Sequence, residues 1–170
     1  VRTAGIPILI LYEGWDASGK GGSILRITQK LDPRAVRVWP IGVPTEIELA
    51  HPYLWRFWTK IPPKGEIDIL DRSWYGRVLV ERVEKLAKPA EWKRAYKEIC
   101  DFESYLVNNG VVLIKFWLHI SNEEQLRRFK EREADPYKKW KITQDDWRNR
   151  DKWDEYYAAV EEMLKKTDTK

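Results

Sequence analysis

Cysteine and histidine are scarce in this sequence: Cys100 is the single thiol, and His51 and His119 are the two imidazoles among 170 residues. One thiol excludes an intrachain disulfide framework and a thiolate-rich metal site, and two histidines argue against an imidazole-built zinc centre. A reduced, cytoplasmic setting is expected. Long apolar runs are also missing, since none approaches the ~20 residues that cross a bilayer. The opening residues 1–12 carry no basic leader, cleavage signal or initiator methionine, so a soluble, trimmed chain with no membrane partner is expected. Charge of one sign is scarce as well. The 31 Lys and Arg against 27 Asp and Glu leave a net +4, too little to make nucleic acid the default partner. An anionic ligand would have to be met by local clusters.

What is present is enough for one core. With 43% apolar residues, and no repeat, low-complexity tract or linker, residues 1–170 read as a single domain. Apolar runs at 6–12, 35–39, 67–70 and 111–118 alternate with helical patterns at 22–31, near 52–60, at 75–88 and at 89–108. Strands separated by helices point to an α/β fold with a mostly parallel sheet, and the lack of polar alternation points to strands covered on both faces. Pro89 suits a first helical position, Asn109-Gly110 a helix end, and Ser121 with Glu124 a capping box, as does Thr143 with Asp146. Residues 127–152 are poor in apolar side chains and crowded with Lys and Arg around Asp135-Pro136, which predicts a charged helical hairpin projecting from the sheet. The chain stops after an amphipathic stretch near Lys166 without a fifth strand, so part of the native protein is expected to be missing.

Directly after the first strand, Gly14-Trp15-Asp16-Ala17-Ser18-Gly19-Lys20-Gly21-Gly22 fits G-x-x-x-x-G-K but has glycine where Ser or Thr should follow the lysine. Glycines let backbone N–H groups approach phosphate oxygens, the helix beginning near Lys20 adds its positive end, and Lys20 adds a mobile charge. Gly21 and Gly22 suggest a bulky polyanion passing close to the backbone. The hydroxyl that usually holds Mg²⁺ is absent, and Asp16 is the replacement the loop offers, unless it serves the helix dipole.

The third strand ends in Asp71-Arg72-Ser73. Apolar residues deliver Asp71 to the carboxyl edge of the sheet, where a Walker B carboxylate belongs, although Asp also merely ends strands. If that strand lies beside the one preceding Gly14, Asp16 and Asp71 can flank one metal. Arg72 is then placed to grip phosphate with its guanidinium fork. On the hairpin, Arg127 with Glu131 reads as a solvated pair, whereas Arg128 and Arg132 stack like charge on one face, which an anionic ligand would offset. Trp140 and Trp147 read as packing for the hairpin. His51 reads as a helix-start residue, His119 stays ambiguous, Cys100 reads as buried, and the ten tryptophans as core and interface anchors. Pro44-Thr45-Glu46 lies where kinases of this architecture seat the acceptor.

Glu13 to Gly22 together with Asp71-Arg72-Ser73-Trp74-Tyr75 resembles the polyphosphate kinase 2 family. The likeness continues through Leu31-Asp32-Pro33-Arg34, Tyr53-Leu54-Trp55-Arg56-Phe57-Trp58, Phe102-Glu103, Lys115-Phe116-Trp117-Leu118-His119-Ile120-Ser121, Glu124-Gln125-Leu126-Arg127-Arg128-Phe129 and Trp140-Lys141. It implies a three-layer, thymidylate-kinase-like P-loop fold with a helical lid at about 127–152. It also implies Mg²⁺-dependent, reversible phosphoryl transfer between inorganic polyphosphate and a nucleoside mono- or diphosphate, with Mn²⁺ as substitute and a homo-oligomer as assembly. By position, Asp16 and Asp71 take the metal, Lys20 and Arg72 the transferring phosphates, and Arg128 and Arg132 the lid contacts. Gly14, Gly19, Gly21 and Gly22 line the loop, and Lys138, Lys139 and Lys141 line the polyphosphate path. The stretch from Tyr75 to Val83 looks more like the AMP-phosphorylating members. The expected reaction is therefore transfer of a terminal phosphoryl to AMP, with ADP as a further acceptor. Its rivals are an ATP-dependent nucleoside monophosphate kinase and a non-catalytic polyphosphate-binding half of a tandem protein.

Overall fold

The computed structural model describes residues 3–169. The chain runs β1 (Ile8–Gly14), α1 (Lys20–Thr28), β2 (Val36–Pro40), the single turns α2 (Glu46–Leu49) and α3 (Trp55–Trp58), β3 (Ile67–Asp71) and the single turn α4 (Val80–Val83). It continues through α5 (Pro89–Asn108), β4 (Val112–Leu118), α6 (Asn122–Ala134), α7 (Gln144–Asp151) and α8 (Trp153–Thr167). The strands lie in the order β2-β3-β1-β4 and every pair is parallel.

Alternation along the strands builds two cores. Ile8, Ile10 and Tyr12 share one face with Ile67 and Ile69 and pack against Ile24 and Ile27 of α1. Leu9, Leu11 and Leu70 point the other way, onto Ala95, Ile99, Phe102 and Leu106 of α5 and Ala159, Val160 and Met163 of α8. This double cover explains the unbroken apolar run 8–12 of β1 and the burial of Ile67, Ile69 and Leu70 in β3. It also sets the site, because the chain leaves β1 toward α1 on one face and leaves β3 toward α5 on the other. A crevice opens between the carboxyl ends of two adjacent strands whose connections diverge. The fourth strand is as apolar as the first, yet Val112 and Phe116 are exposed, since β4 is an edge with β1 as its one neighbour among the described residues.

Several helical expectations need correction. The pattern at 75–88 breaks into a tight turn at Trp74–Arg77 and α4, and the chain turns away at Lys85, whose φ is 57°. The helix near 52–60 shrinks to α3, and the one at 22–31 begins at Lys20 and ends at Thr28. Ser121 Oγ accepts from Glu124 N at 3.2 Å, but the Glu124 carboxylate does not return the bond, because Arg127 and Arg128 take it. At Thr143 and Asp146 both bonds of the box form. His51 follows α2 rather than opening a helix, with Nδ1 2.8 Å from Ile47 O and its ring stacked on Trp55. Cys100 is only half-buried, its Sγ 3.5 Å from Lys166 O. Among the described residues no helix is long and apolar enough to cross a membrane.

The buried stripe of α5 contains one carboxylate. Glu103, 3% exposed, accepts from Trp74 Nε1 at 3.0 Å and Tyr75 OH at 2.7 Å, and its other oxygen meets Lys115 Nζ at 2.7 Å. It thereby joins α5 to β4 and to the segment that follows β3. Glu103→Ala strands two buried donors and an ammonium, and a loss of about 3–5 kcal/mol in unfolding free energy is expected, measured by urea denaturation.

Candidate active site

The loop after β1 is held in conformations that ordinary residues avoid. Gly14 has φ 145°, and a Cβ there would lie 2.5 Å from Leu118 O, so β4 and the loop approach too closely for any side chain. Ala17 at φ 61° and Gly19 at φ 107° are also left-handed, which turns the backbone into a concave cradle. Helix α1 begins at this cradle. Gly19 offers no capping side chain and the first turn holds no acidic residue, so the positive end of the helix is left uncompensated by protein. Ser18 Oγ is buried and has no hydrogen-bond partner among the described residues. Within the protein a Cβ at Gly21 would touch nothing and one at Gly22 only the flexible Arg26 side chain at 3.6 Å. Neighbouring chain therefore imposes no need for glycine there.

Lys20 Nζ donates to Gly14 O at 2.7 Å and Trp15 O at 3.0 Å. Burial pulls its ammonium below the usual lysine range, Asp16 opposes that, Arg72 pushes it further down, and Glu13 and Asp71 counter more weakly. Asp16 and Asp71 are thus both felt by the same ammonium. Asp71 stands opposite Tyr12 on the neighbouring strand, on the face that α1 covers. Asp16 Oδ1 accepts from Arg72 Nη2 at 3.1 Å, and Oδ2 accepts from Asn149 Nδ2 at 2.9 Å. Among the described residues no cluster of three or more His, Cys, Asp or Glu could cage a metal. Two carboxylates beside a phosphate cradle suit Mg²⁺ instead, which takes one or two protein carboxylates and completes its octahedron with phosphate oxygens and water.

The basic hairpin is seated differently from the sequence expectation. Arg128 does not stack against Arg132 without relief: its Nε donates to Glu124 Oε1 at 2.6 Å, and its Nη1 donates to the carbonyls of Ala17 and Ser18 at 3.0 Å each. Arg127, then Arg128, hold the Glu124 carboxyl down at about 2. Gln125 Nε2 reaches Asp16 O at 3.1 Å. So α6 ties down the carbonyls of three successive loop residues. The Arg132 side chain has no hydrogen bond or ion pair among the described residues, its carbonyl accepting from Asp135 N at 3.3 Å. Lys138 pairs with Asp135 at 2.6 Å, Lys141 lies over the Trp140 ring, and Lys139 sits with it in the exposed turn Lys139–Lys141. Trp147 packs on buried Phe129 as expected, but Trp140 is 74% exposed and packs nothing down.

Sequence reasoning missed Asn149, Gln125 and Glu13 as site residues and left His119 open. Asn149 and Gln125 lie in polar helical stretches with nothing to distinguish them. Glu13 had a signal: a carboxylate at the end of a buried strand. Its Oε1 accepts from both Ser73 N and Ser73 Oγ at 2.7 Å, and burial raises its pKa against the pull of those bonds and of Lys20 and Arg72. His119 Nδ1 accepts from Trp15 Nε1 at 3.2 Å, while Trp15 stacks on Trp153 with centroids 4.0 Å apart. Between these groups lies a cleft of about 80 Å³ lined by Asp16, Arg72, Trp117, Asn149, Trp153 and Tyr156.

The sequence matches the family model for polyphosphate kinase 2 over residues 1–170. The chain belongs to the polyphosphate kinase 2 family. Among its relatives, a polyphosphate:AMP phosphotransferase of Pseudomonas aeruginosa is 56% identical over 162 residues, covering 95% of this chain and 33% of that protein. A GDP-polyphosphate phosphotransferase of Mycobacterium tuberculosis is 40% identical over 168 residues, covering 99% of this chain and 57% of that one. A crystal structure described as a polyphosphate kinase 2 from Pseudomonas aeruginosa superposes with a TM-score of 0.94 at 56% identity, covering 96% of this chain and 36% of that chain. The chain therefore has the P-loop kinase fold of that polyphosphate kinase 2 structure, and it spans about a third of the length of its polyphosphate:AMP relative.

Within the polyphosphate kinase 2 loop, Gly14→Ala combines a left-handed backbone with a clash on Leu118 O. A loss of about 2–4 kcal/mol in stability is expected, measured by chemical denaturation.

Proposed function

We propose that this chain transfers the terminal phosphoryl group of inorganic polyphosphate to AMP, yielding ADP and a polymer one unit shorter. An oxygen of the AMP phosphate forms a bond to the terminal phosphorus, and the bridging P–O bond to the penultimate phosphate breaks, leaving its electron pair on the polymer. The acceptor oxygen is already anionic, so no general base is required. The observation that carries the reading is the grouping of Lys20, Asp16 and Arg72 at the uncapped start of α1, beside the Asp71 strand end. The 56% identity to a polyphosphate:AMP phosphotransferase supports AMP as acceptor.

Each residue has a distinct task. The loop amides and Lys20 hold donor phosphates, and the Arg72 fork binds oxygens of the transferring group. Asp16 and Asp71 would hold Mg²⁺, which neutralises phosphate charge when bound. The hairpin of α6 and α7 acts as a lid that would bring Arg128, held at the loop carbonyls before substrate binds, and Arg132 to the developing charge, with Lys138, Lys139 and Lys141 along the polymer path. Catalysis then rests on positioning and electrostatic stabilisation.

Purified protein incubated with polyphosphate, Mg²⁺ and AMP, ADP or GMP, without ATP, is expected to form ADP from AMP; absence of any nucleotide product would refute the proposal, and transfer only from ATP would favour a nucleoside monophosphate kinase. Asp16→Asn, Asp71→Asn and Lys20→Ala are each expected to lower turnover about 100-fold or more, with unchanged circular dichroism. Near-normal turnover in either aspartate variant would remove that residue from the metal site.

A further inference from the structure

Arg72 is held in an unfavourable backbone conformation by residues of the neighbouring strand. Its φ is 70°, in the left-handed region that a long side chain rarely occupies and that costs of order 1 kcal/mol or more. The peptide on its N-terminal side is secured where Arg72 N donates to Tyr12 O at 2.9 Å. The peptide on its C-terminal side is secured by Glu13, whose Oε1 receives both Ser73 N and Ser73 Oγ at 2.7 Å. Ser73 Oγ also accepts from Tyr75 N at 3.3 Å, so the same hydroxyl opens the turn that follows. Two consecutive residues of β1 therefore grip the two peptides that flank Arg72.

The choice of a carboxylate here is costly. Glu13 is 9% exposed and forms no ion pair within 4 Å among the described residues, so its charge is desolvated and supported by the Ser73 hydroxyl, by the nearby Lys20 and Arg72 cations and by the Ser73 amide. Charge-assisted bonds are about twice as strong as neutral ones, and that strength is what an otherwise unstable turn at Arg72 demands. The guanidinium released by this turn meets Asp16, which belongs to the loop after the same strand. One strand end thus sets both the phosphate loop and the arginine that faces it.

We infer that Glu13 is a positioning residue for phosphoryl transfer, acting through Ser73 to hold Arg72 in its left-handed turn with the guanidinium directed at the crevice. The inference rests on the reading of Arg72 as a phosphate-binding group. It assigns Glu13 no contact with substrate and no proton to carry.

A double-mutant cycle on kcat, with melting temperature recorded for each protein, tests it. Glu13→Ala is expected to lower kcat about 30- to 100-fold in the wild-type background and less than about 3-fold in an Arg72→Ala background. Glu13→Gln, whose side-chain carbonyl can accept the same two bonds, is expected to recover most of that loss. Losses that multiply in the double variant, or a glutamine variant as impaired as the alanine one, would overturn the inference. Wild-type kcat in Arg72→Ala alone would instead refute the role given to Arg72, a separate failure. Should Glu13→Ala not fold, Ser73→Ala removes one of the two donors; a loss of about 3- to 10-fold that vanishes in the Arg72→Ala background supports the inference, and an equal loss in both backgrounds overturns it.

Discussion

The parallel register of β1 with β3 is the constraint on which the site depends. It sets Tyr12 opposite Asp71 and lets Tyr12 O receive Arg72 N just beyond the last paired residues. Two loops that carry charge are thereby launched from adjacent strand ends, and their onward helices lie on opposite faces of the sheet. Had β3 been placed elsewhere in the sheet, Asp16 and Arg72, 56 residues apart in the chain, would not have met. The register itself follows from burial, because slipping by one residue would turn Ile67 and Ile69 out of the α1 core and expose the opposite set.

A nearly neutral protein can bind a polyanion if it gathers cations locally and shields them from its own acids. Lys20 and Arg72 lie beside Asp16, and the α1 terminus adds its dipole. Of the acids nearby, Glu13 is buried and hydrogen-bonded, Glu124 is paired with the hairpin arginines, and Asp16 is paired with Arg72, while Asp71 stands at the end of β3. Local placement of these groups rather than overall charge therefore governs the crevice, since the whole chain carries only +4. The hairpin contributes a second effect. By binding the carbonyls of Asp16, Ala17 and Ser18, the side chains of Gln125 and Arg128 hold the loop from outside.

Much of this was legible in the sequence where the signal was local. The glycine loop, the strand ending at Asp71, the capping pair Thr143 and Asp146, and the helix from Pro89 to Asn108 each follow from a few neighbouring residues. The pattern at 75–88 misled because its apolar spacing suits a helix, whereas Val78, Leu79 and Val83 are buried in the core from a broken turn. Arg128 misled because a search for like charge on its own face looked toward Arg132, while its carboxylate lay one turn in the opposite direction, at Glu124. Asn149 carried no signal at all, since its partner Asp16 is 133 residues away.

By itself the sequence determined the chemistry of the loop and the identity of its charged groups, because glycine freedom, strand burial and helix caps are settled within a handful of residues. The tertiary structure alone decided which groups meet: Glu13 with Ser73, Asp16 with Arg72 and Asn149, Arg128 with the loop carbonyls. Such contacts depend on the relative placement of separate elements, and that placement is set by how two apolar faces of one sheet are covered rather than by any short run of residues.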